Sequence, residues 1–431
     1  MAIIDELLNK LKEQNIKFVD FRFTDSLGGW HNISYEVSNI NQGILENGIV
    51  FNGASVKGWQ DISESDMILK PDPLSFCVDA FASEPTAILI CNVLCTNTMQ
   101  DYNRDPRSIA VRAEKYLMNS AIGNNVYFGT ELEFFIFDDV KFYNEGHKSG
   151  FAVDSEEHPS NSDRKYDSGN LGHRQRFANS YYPVQPIDSS SDIRSEITEV
   201  LKGMGVWVRH HRHEASPAQN ELGLNANTLL NIADDIQKCK YVVRNVARSF
   251  GKTATFMPKP LGDGCGSSMS LQQSIIKAGK NLFFGNYYAG LSSEALYYIG
   301  GILKHSRALN AFTNPSTNSY KRFISGSSVP TIISYSDMNR STTVKVPYAA
   351  TAKDKRIEVR YPDPSANPYL AMAAMLMAGL DGIVNRIHPG DPEERNLYSL
   401  PKSELLKKDN IATTLEEAIN SLDKDREFLL Q

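Results

Sequence analysis

The chain has 431 residues, more than a single hydrophobic core usually serves, so two domains are expected. Its 41% hydrophobic and 22% charged residues are those of an ordinary globular protein and exclude a disordered or fibrous chain. Lys plus Arg number 45 against 51 Asp plus Glu, a net charge of -6, which argues against nucleic acid or an anionic membrane as partner and favours a small molecule.

In chain order, the opening MAIIDELLNKLKEQNI spaces Ile4, Leu7, Leu8 and Leu11 along one helix face, and its acidic residues stand where an export leader would be basic. Val19, Phe21 and Phe23 then alternate with Asp20 and Arg22, the period of a half-buried strand, and strand-like runs follow at Ile33–Tyr35 and in TAILICNVL. The polar DYNRDP breaks this pattern before the helical SIAVRAEKYLMNSA, which places a domain boundary near residue 103 and divides the chain into 1–102 and 103–431. Beyond it, strand patterns at 125–138, 205–213, 219–225 and 355–361 are interspersed with helical ones at 191–204, 228–248, 290–310 and 367–386. That is the pattern of a large α+β domain. Residues 145–182 form a long polar excursion of the kind that carries functional loops.

Several functional classes drop out. The most apolar stretch, Leu370 to Leu380, ends at Asp381 and is too short to span a bilayer. Five cysteines (Cys77, Cys91, Cys95, Cys239, Cys265) without CxxC spacing argue against a zinc site or a disulfide framework. They are expected to be core residues in a reducing cytoplasm. Gly251-Lys252-Thr253 resembles the end of a P-loop, but Val246 stands where that motif needs glycine.

The chemistry gathers around carboxylates. Glu131 and Glu133 lie two apart in the apolar strand VYFGTELEFFIFD and project from one face. A solvent-facing edge is the commoner setting for such a pair; a divalent cation with oxygen ligands is the sharper one. Glu214 closes WVRHHRHE, Glu221 follows seven residues later, and Glu358 sits between Arg356 and Arg360, an arrangement that a surface ion-pair ladder would also produce.

The segments FRFTDSLGG, SESDMILKPDP, GTELEFFIFD, YYPVQPIDSSSDIRSEI, FMPKP, NSYKRF, NRS and RIEVRYPDPSANPYLAMAAMLMAGLDGI occur in the order of the signature blocks of bacterial-type glutamine synthetases. From about residue 15 to the end, the chain resembles that family. The resemblance implies a small N-terminal β-grasp-like domain and a large catalytic domain with a curved antiparallel sheet flanked by helices. It implies ATP with Mg or Mn, glutamate and ammonium or another amine as substrates, and a hexameric ring of identical subunits. It implies that Glu133, Glu214 and Glu221 hold one divalent ion and that Glu131 and Glu358 help to hold a second. Arg322, Arg340 and Arg360 would handle the glutamate carboxylates and the moving phosphoryl group, with Cys265 and Gly266 at the glutamate site. Ser274, Lys353 and Arg356, together with Arg340, would lie near the nucleotide.

The sequence also departs from the family pattern. Ser270 stands where the family has a histidine ligand of the second metal, and Cys265 where it has an asparagine that positions glutamate. Asn52 replaces an aspartate that binds ammonium, and Ser328 replaces the glutamate of a flap; neither can serve as a base. Arg209 occupies a usual glutamate and Lys345 a usual arginine. The sequence stops where the family continues into a C-terminal helical extension that joins two rings, so the expectation is a single hexameric ring rather than a double one. The expectation is one well-formed ion site, a weakened second, and standard activity impaired or lost. A pseudoenzyme of this kind would co-assemble with an active relative. The alternatives are an active glutamine synthetase or a ligase joining glutamate to another amine.

Overall fold

The alternating apolar residues near the N-terminus pair as a small sheet. A computed structural model describes residues 2–158, 181–323 and 329–430. After α1 (Ala2–Glu13) come β1 (Phe18–Thr24), β2 (Trp30–Glu36), α2 (Gln42–Asn47), β3 (Ile49–Asn52), β4 (Asp66–Pro71), β5 (Cys77–Val78) and β6 (Thr86–Cys95). The sheet order is β2-β1-β6-β4-β3, with β5 also on β6, and only β1 and β6 run parallel. Leu7 and Leu11 of α1 close over Val19, Phe21 and Leu89 to give this β-grasp domain its own core.

The second sheet is larger and curled. After α3 (Pro106–Asn119) it is built from β7 (Asn125–Phe137), β10 (Val208–His213), β11 (Gln219–Thr228), β12 (Thr253–Thr255), β13 (Met269–Lys277), β14 (Lys280–Asn281), β15 (Tyr335–Asp337), β16 (Val344–Val346) and β17 (Ile357–Val359). The order is β10-β11-β7-β13-β17-β16-β15, with β12 added on β7 and β14 on β13. The 13-residue β7 lies at its centre, with long antiparallel partners on both sides. Helices α4 (Ser191–Gly203), α5 (Leu229–Ser249), α6 (Ser293–Lys304), α7 (Ser306–Thr313) and α8 (Pro368–Val384) complete the core; α3 and α5 pack on β7, and α8 packs against α3, α5 and α6. Fourteen of the seventeen residues of α8 are buried, which explains why its sequence is apolar on every side.

Two expected elements differ. The polar excursion from residue 145 begins inside a hairpin, β8 (Asp139–Glu145) and β9 (Lys148–Asp154), closed by the two residues Gly146 and His147; positions 159–180 lie outside the described residues. The helix expected over 290–310 is broken into α6 and α7 at His305, whose ring bonds Asp381 at 2.9 Å and Asp425 at 2.7 Å. The two domains are tied by buried polar groups. Arg107 reaches Asp72 at 2.7 Å and Asp234 at 2.9 Å, while Gln237 donates to Thr24 at 3.0 Å and Asn367 to the Asp25 carbonyl at 2.9 Å. Among the described residues, no helix is long and apolar enough to cross a membrane.

Candidate active site

Strand register brings the carboxylates together. Glu133 on β7 faces Glu221 on β11, and Glu131 faces Gly223 on one side and Ser270 of β13 on the other. Glu358 on β17 faces Gln272 of β13 and Lys345 of β16. Because neighbouring strands stand about 4.8 Å apart, these pairings crowd four of the five acids, and Glu214, just past the end of β10, joins them through its backbone bond to Gln219. Oxygen atoms of Glu133, Glu214 and Glu221 lie within 4.8 Å of one another, close enough for one ion to touch all three.

The electrostatics are uneven across the cluster. Glu133 is surrounded by neutral donors: the Ser268 amide at 2.8 Å, the Ser268 hydroxyl at 2.5 Å and the Gln219 amide at 3.1 Å. Burial, and next the charge of Glu214, push its carboxyl up to about 7. Burial and the charge of Glu221 likewise raise Glu214. Glu131, by contrast, pairs with Arg209 at 3.3 Å and Arg212 at 3.4 Å, and Glu358 with Arg360 at 3.2 Å and Lys345 at 3.5 Å.

Glu133 and Glu214 line a small cavity of about 40 Å³ with Cys265, Gly266, Arg340 and Arg360. Larger clefts of about 730 and 940 Å³ lie at the domain junction beside Arg22 and Tyr241 and beneath the β8–β9 hairpin, but the five acids are not on their walls. Chemistry, rather than room, marks the small cavity as the site. Arg322 is fully buried next to it, bonding the Tyr361 carbonyl at 3.0 Å; its Nε and Nη2 have no partner among the described residues. Gly266 permits this packing, since a Cβ there would stand 2.7 Å from Arg322 Cγ and 2.5 Å from the Pro258 carbonyl oxygen.

The remaining expected residues are more dispersed. Arg356 donates to Gln272 at 2.9 Å and so sits along the sheet from Glu131, whereas Lys353 is exposed and Ser274 lies further along β13, opposite Tyr127. Asn52 is exposed at the end of β3, where it caps a short turn by accepting from Ala54 at 3.0 Å; it is not on the cavity wall. Ser328 lies outside the described residues.

Sequence reasoning missed His210, Arg212, Gln219 and Ser268. Arg212 bonds Glu221 at 2.8 Å and Glu214 at 3.2 Å, and His210 bonds Glu221 at 3.2 Å. The signal was in WVRHHRHE: a period of two puts His210 and Arg212 on the face of Glu214. A bulge between Val208 and His210 also lets the adjacent Arg209 reach Glu131.

Fold and site together define a two-domain protein, a β-grasp joined to a curled sheet, with a buried acidic chamber rimmed by arginines. Residues 15–96 match the family model described as glutamine synthetase, beta-Grasp domain, and residues 103–431 match that for the catalytic domain. The chain belongs to the glutamine synthetase family. It is 52% identical to a glutamine synthetase of Azospirillum brasilense, an alignment spanning 100% of this chain and 92% of that one. To one of Escherichia coli K12 it is 49% identical over 99% and 91%. The solved structure of Plasmodium falciparum glutamine synthetase superposes with a TM-score of 0.90 at 28% identity, covering 99% of this chain and 91% of the other.

Proposed function

We propose that the protein is an ATP-dependent ligase that joins glutamate to ammonium or to another small amine. The observation that carries this reading is the identity of about half of all positions to bacterial glutamine synthetases along the whole chain. That supports an active ligase better than the impaired or lost activity expected from Asn52, Ser270, Cys265 and Ser328, an expectation with no comparable support.

Glu133, Glu214 and Glu221 would hold a Mg or Mn ion: three carboxylate donors converge, two of them buried, and desolvation with the charge of Glu214 pushes the Glu133 carboxyl up to about 7. Bound there, the ion would neutralise charge on phosphate oxygens. Arg322, Arg340 and Arg360 would hold the carboxylates of glutamate and the transferring phosphoryl group, and the Nε and Nη2 of Arg322, without a partner among the described residues, suit a planar anion. Cys265 and Gly266 would border glutamate; Ser274, Lys353 and Arg356 would flank the nucleotide. A glutamate side-chain oxygen attacks the terminal phosphorus of ATP, ADP leaves, and the amine nitrogen then displaces phosphate and releases a proton. Asn52 can accept a hydrogen bond but cannot take that proton, which favours an amine arriving neutral and keeps a second reading open, a ligase for an amine other than ammonium.

Asn52 lies off its own chain's cavity, which supports a homo-oligomeric ring in which a neighbour presents it. The five free thiols support a reducing cytoplasm. Purified protein given ATP, Mn, glutamate and each of ammonium, methylamine and ethylamine should yield one amide and one phosphate per turnover, read by mass spectrometry. No amide from any of the three, with ATP and glutamate still bound, would overturn the proposal.

A further inference from the structure

Glu157 is not on the cavity wall, yet it holds the turn that carries two of the cavity's residues. It lies just beyond β9, buried, and collects four donors on its two carboxylate oxygens. One oxygen accepts from the Ser189 amide at 3.1 Å and hydroxyl at 2.6 Å, the other from His213 Nε2 at 2.8 Å and the Ala218 amide at 2.5 Å. His213 is buried too and turns its Nδ1 to the Glu214 carbonyl at 2.7 Å, so both ring nitrogens face acceptors. Ala218 takes a left-handed φ of 64°, which strains any residue but glycine and persists only where its surroundings enforce it. Both ends of this β10–β11 turn serve the site. Glu214 belongs to the ion trio, and Gln219 donates to Glu133 and to the Gly266 carbonyl, each at 3.1 Å. Between them, the Ser216 hydroxyl accepts from the Cys265 amide at 2.7 Å.

Resting on the ion site of the ligase reading, we infer that Glu157 is a positioning residue: its carboxylate clamps the β10–β11 turn and so holds Glu214 and Gln219 against Glu133 before any ion arrives. The donors come from three places, the segment before α4, the last residue of β10 and the turn itself, so the chain is fixed on both sides of Glu214. Such a clamp is needed because carboxylates gathered without an ion repel one another, and a yielding turn would let Glu214 move away. It also needs the charge and both oxygens of Glu157. In glutamine, the NH₂ group would meet a backbone N–H whichever way the amide turned, that of Ser189 or that of Ala218.

The test is Mn²⁺ titration of the full-length protein without nucleotide, with free ion read by electron paramagnetic resonance, beside hydrogen exchange of the metal-free protein. Glu157→Gln should bind Mn²⁺ about 10- to 100-fold more weakly, and its amides at 214–219 should exchange faster while β13 keeps its protection. His305→Ala, which breaks contacts to Asp381 and Asp425 outside the chamber, should lose stability but keep its Mn²⁺ affinity, and so separates positioning from stability alone. Ala218→Gly added to Glu157→Gln should recover part of the affinity, since glycine adopts the left-handed turn without a clamp. Unchanged Mn²⁺ affinity in folded Glu157→Gln, unchanged exchange at 214–219, or no recovery with Ala218→Gly would overturn the inference. If Glu157→Gln does not fold, Ser189→Ala removes one of the four donors and should give the same pattern more weakly; an unchanged titration then counts against the inference. Absence of Mn²⁺ uptake by the unaltered protein sinks the ion reading alone, because exchange at 214–219 still decides the clamp.

Discussion

At the scale of single residues, the acidic chamber stores an unsatisfied demand for positive charge. Desolvation, and next the charge of nearby Glu214, push the carboxyl of Glu133 up to about 7. The sign follows: between the ordinary carboxyl value and about 7 the folded chain binds more protons than the unfolded one, so these groups lower metal-free stability as pH rises through that window. An ion reverses this by displacing the proton. Mn²⁺ affinity should climb from pH 5.5 to about 7 and level off above it, with proton release measurable by calorimetry in buffers of different ionisation enthalpy; a flat profile would contradict the assignment. Gly266→Ala should cost about 1–3 kcal/mol in thermal unfolding, because the added methyl meets both a carbonyl oxygen and the stem of buried Arg322. The five acids were legible from sequence through spacing and resemblance. Arg212 was not, because a run of His and Arg reads as a solvated strand until the register shows which face is covered.

At the scale of elements, strands and helices with strong periodicity were legible to within a few residues, as in β7, α5 and α8. The helix expected over 290–310 failed for a physical reason. His305 takes non-helical dihedrals and turns its ring between Asp381 of α8 and Asp425, stacking on Phe428 with centroids 4.2 Å apart. A tertiary bargain of this kind leaves no trace in local periodicity. It also explains Asp381, the charge that ends the apolar stretch of α8. Although burial opposes ionisation, bonds from His305 and Lys304 hold its carboxyl below the usual range. His305→Ala should destabilise the protein by about 2–3 kcal/mol, since it removes a close ring partner of the Asp381 carboxylate at 2.9 Å and leaves it Asn385 and the longer contact to Lys304. Hydrogen exchange should quicken around 421–430 ahead of the sheet; uniform exchange would show that His305 is not the tether. The β8–β9 hairpin was hidden for a different reason: its faces are largely exposed, so burial never imposes a clear alternation on it.

At the scale of the whole molecule, one chain keeps its acids and arginines in the curled sheet but carries Asn52 on the other domain, away from them. If a neighbour completes the site, turnover per chain should fall once dilution breaks the ring, with mass photometry reporting the assembly in the same sample. Asn52→Asp should raise ammonium-dependent turnover by roughly 10²-fold, most at low pH, where the amine arrives protonated. Constant specific activity down to the monomer would place the whole site within one chain. Sequence alone could not reveal this division of labour, since nothing local to Asn52 records which surface it meets.

The central strand β7 carries a consequence for how such a protein changes over time. Its two acids, and those facing them, are spaced by the backbone lattice of one sheet rather than by loops. A substitution such as Ser270 therefore alters one donor and leaves the others where they were. The sheet acts as a pegboard: pegs can be exchanged singly while the holes stay in place, so amine preference and ion count can drift in small steps that the fold survives.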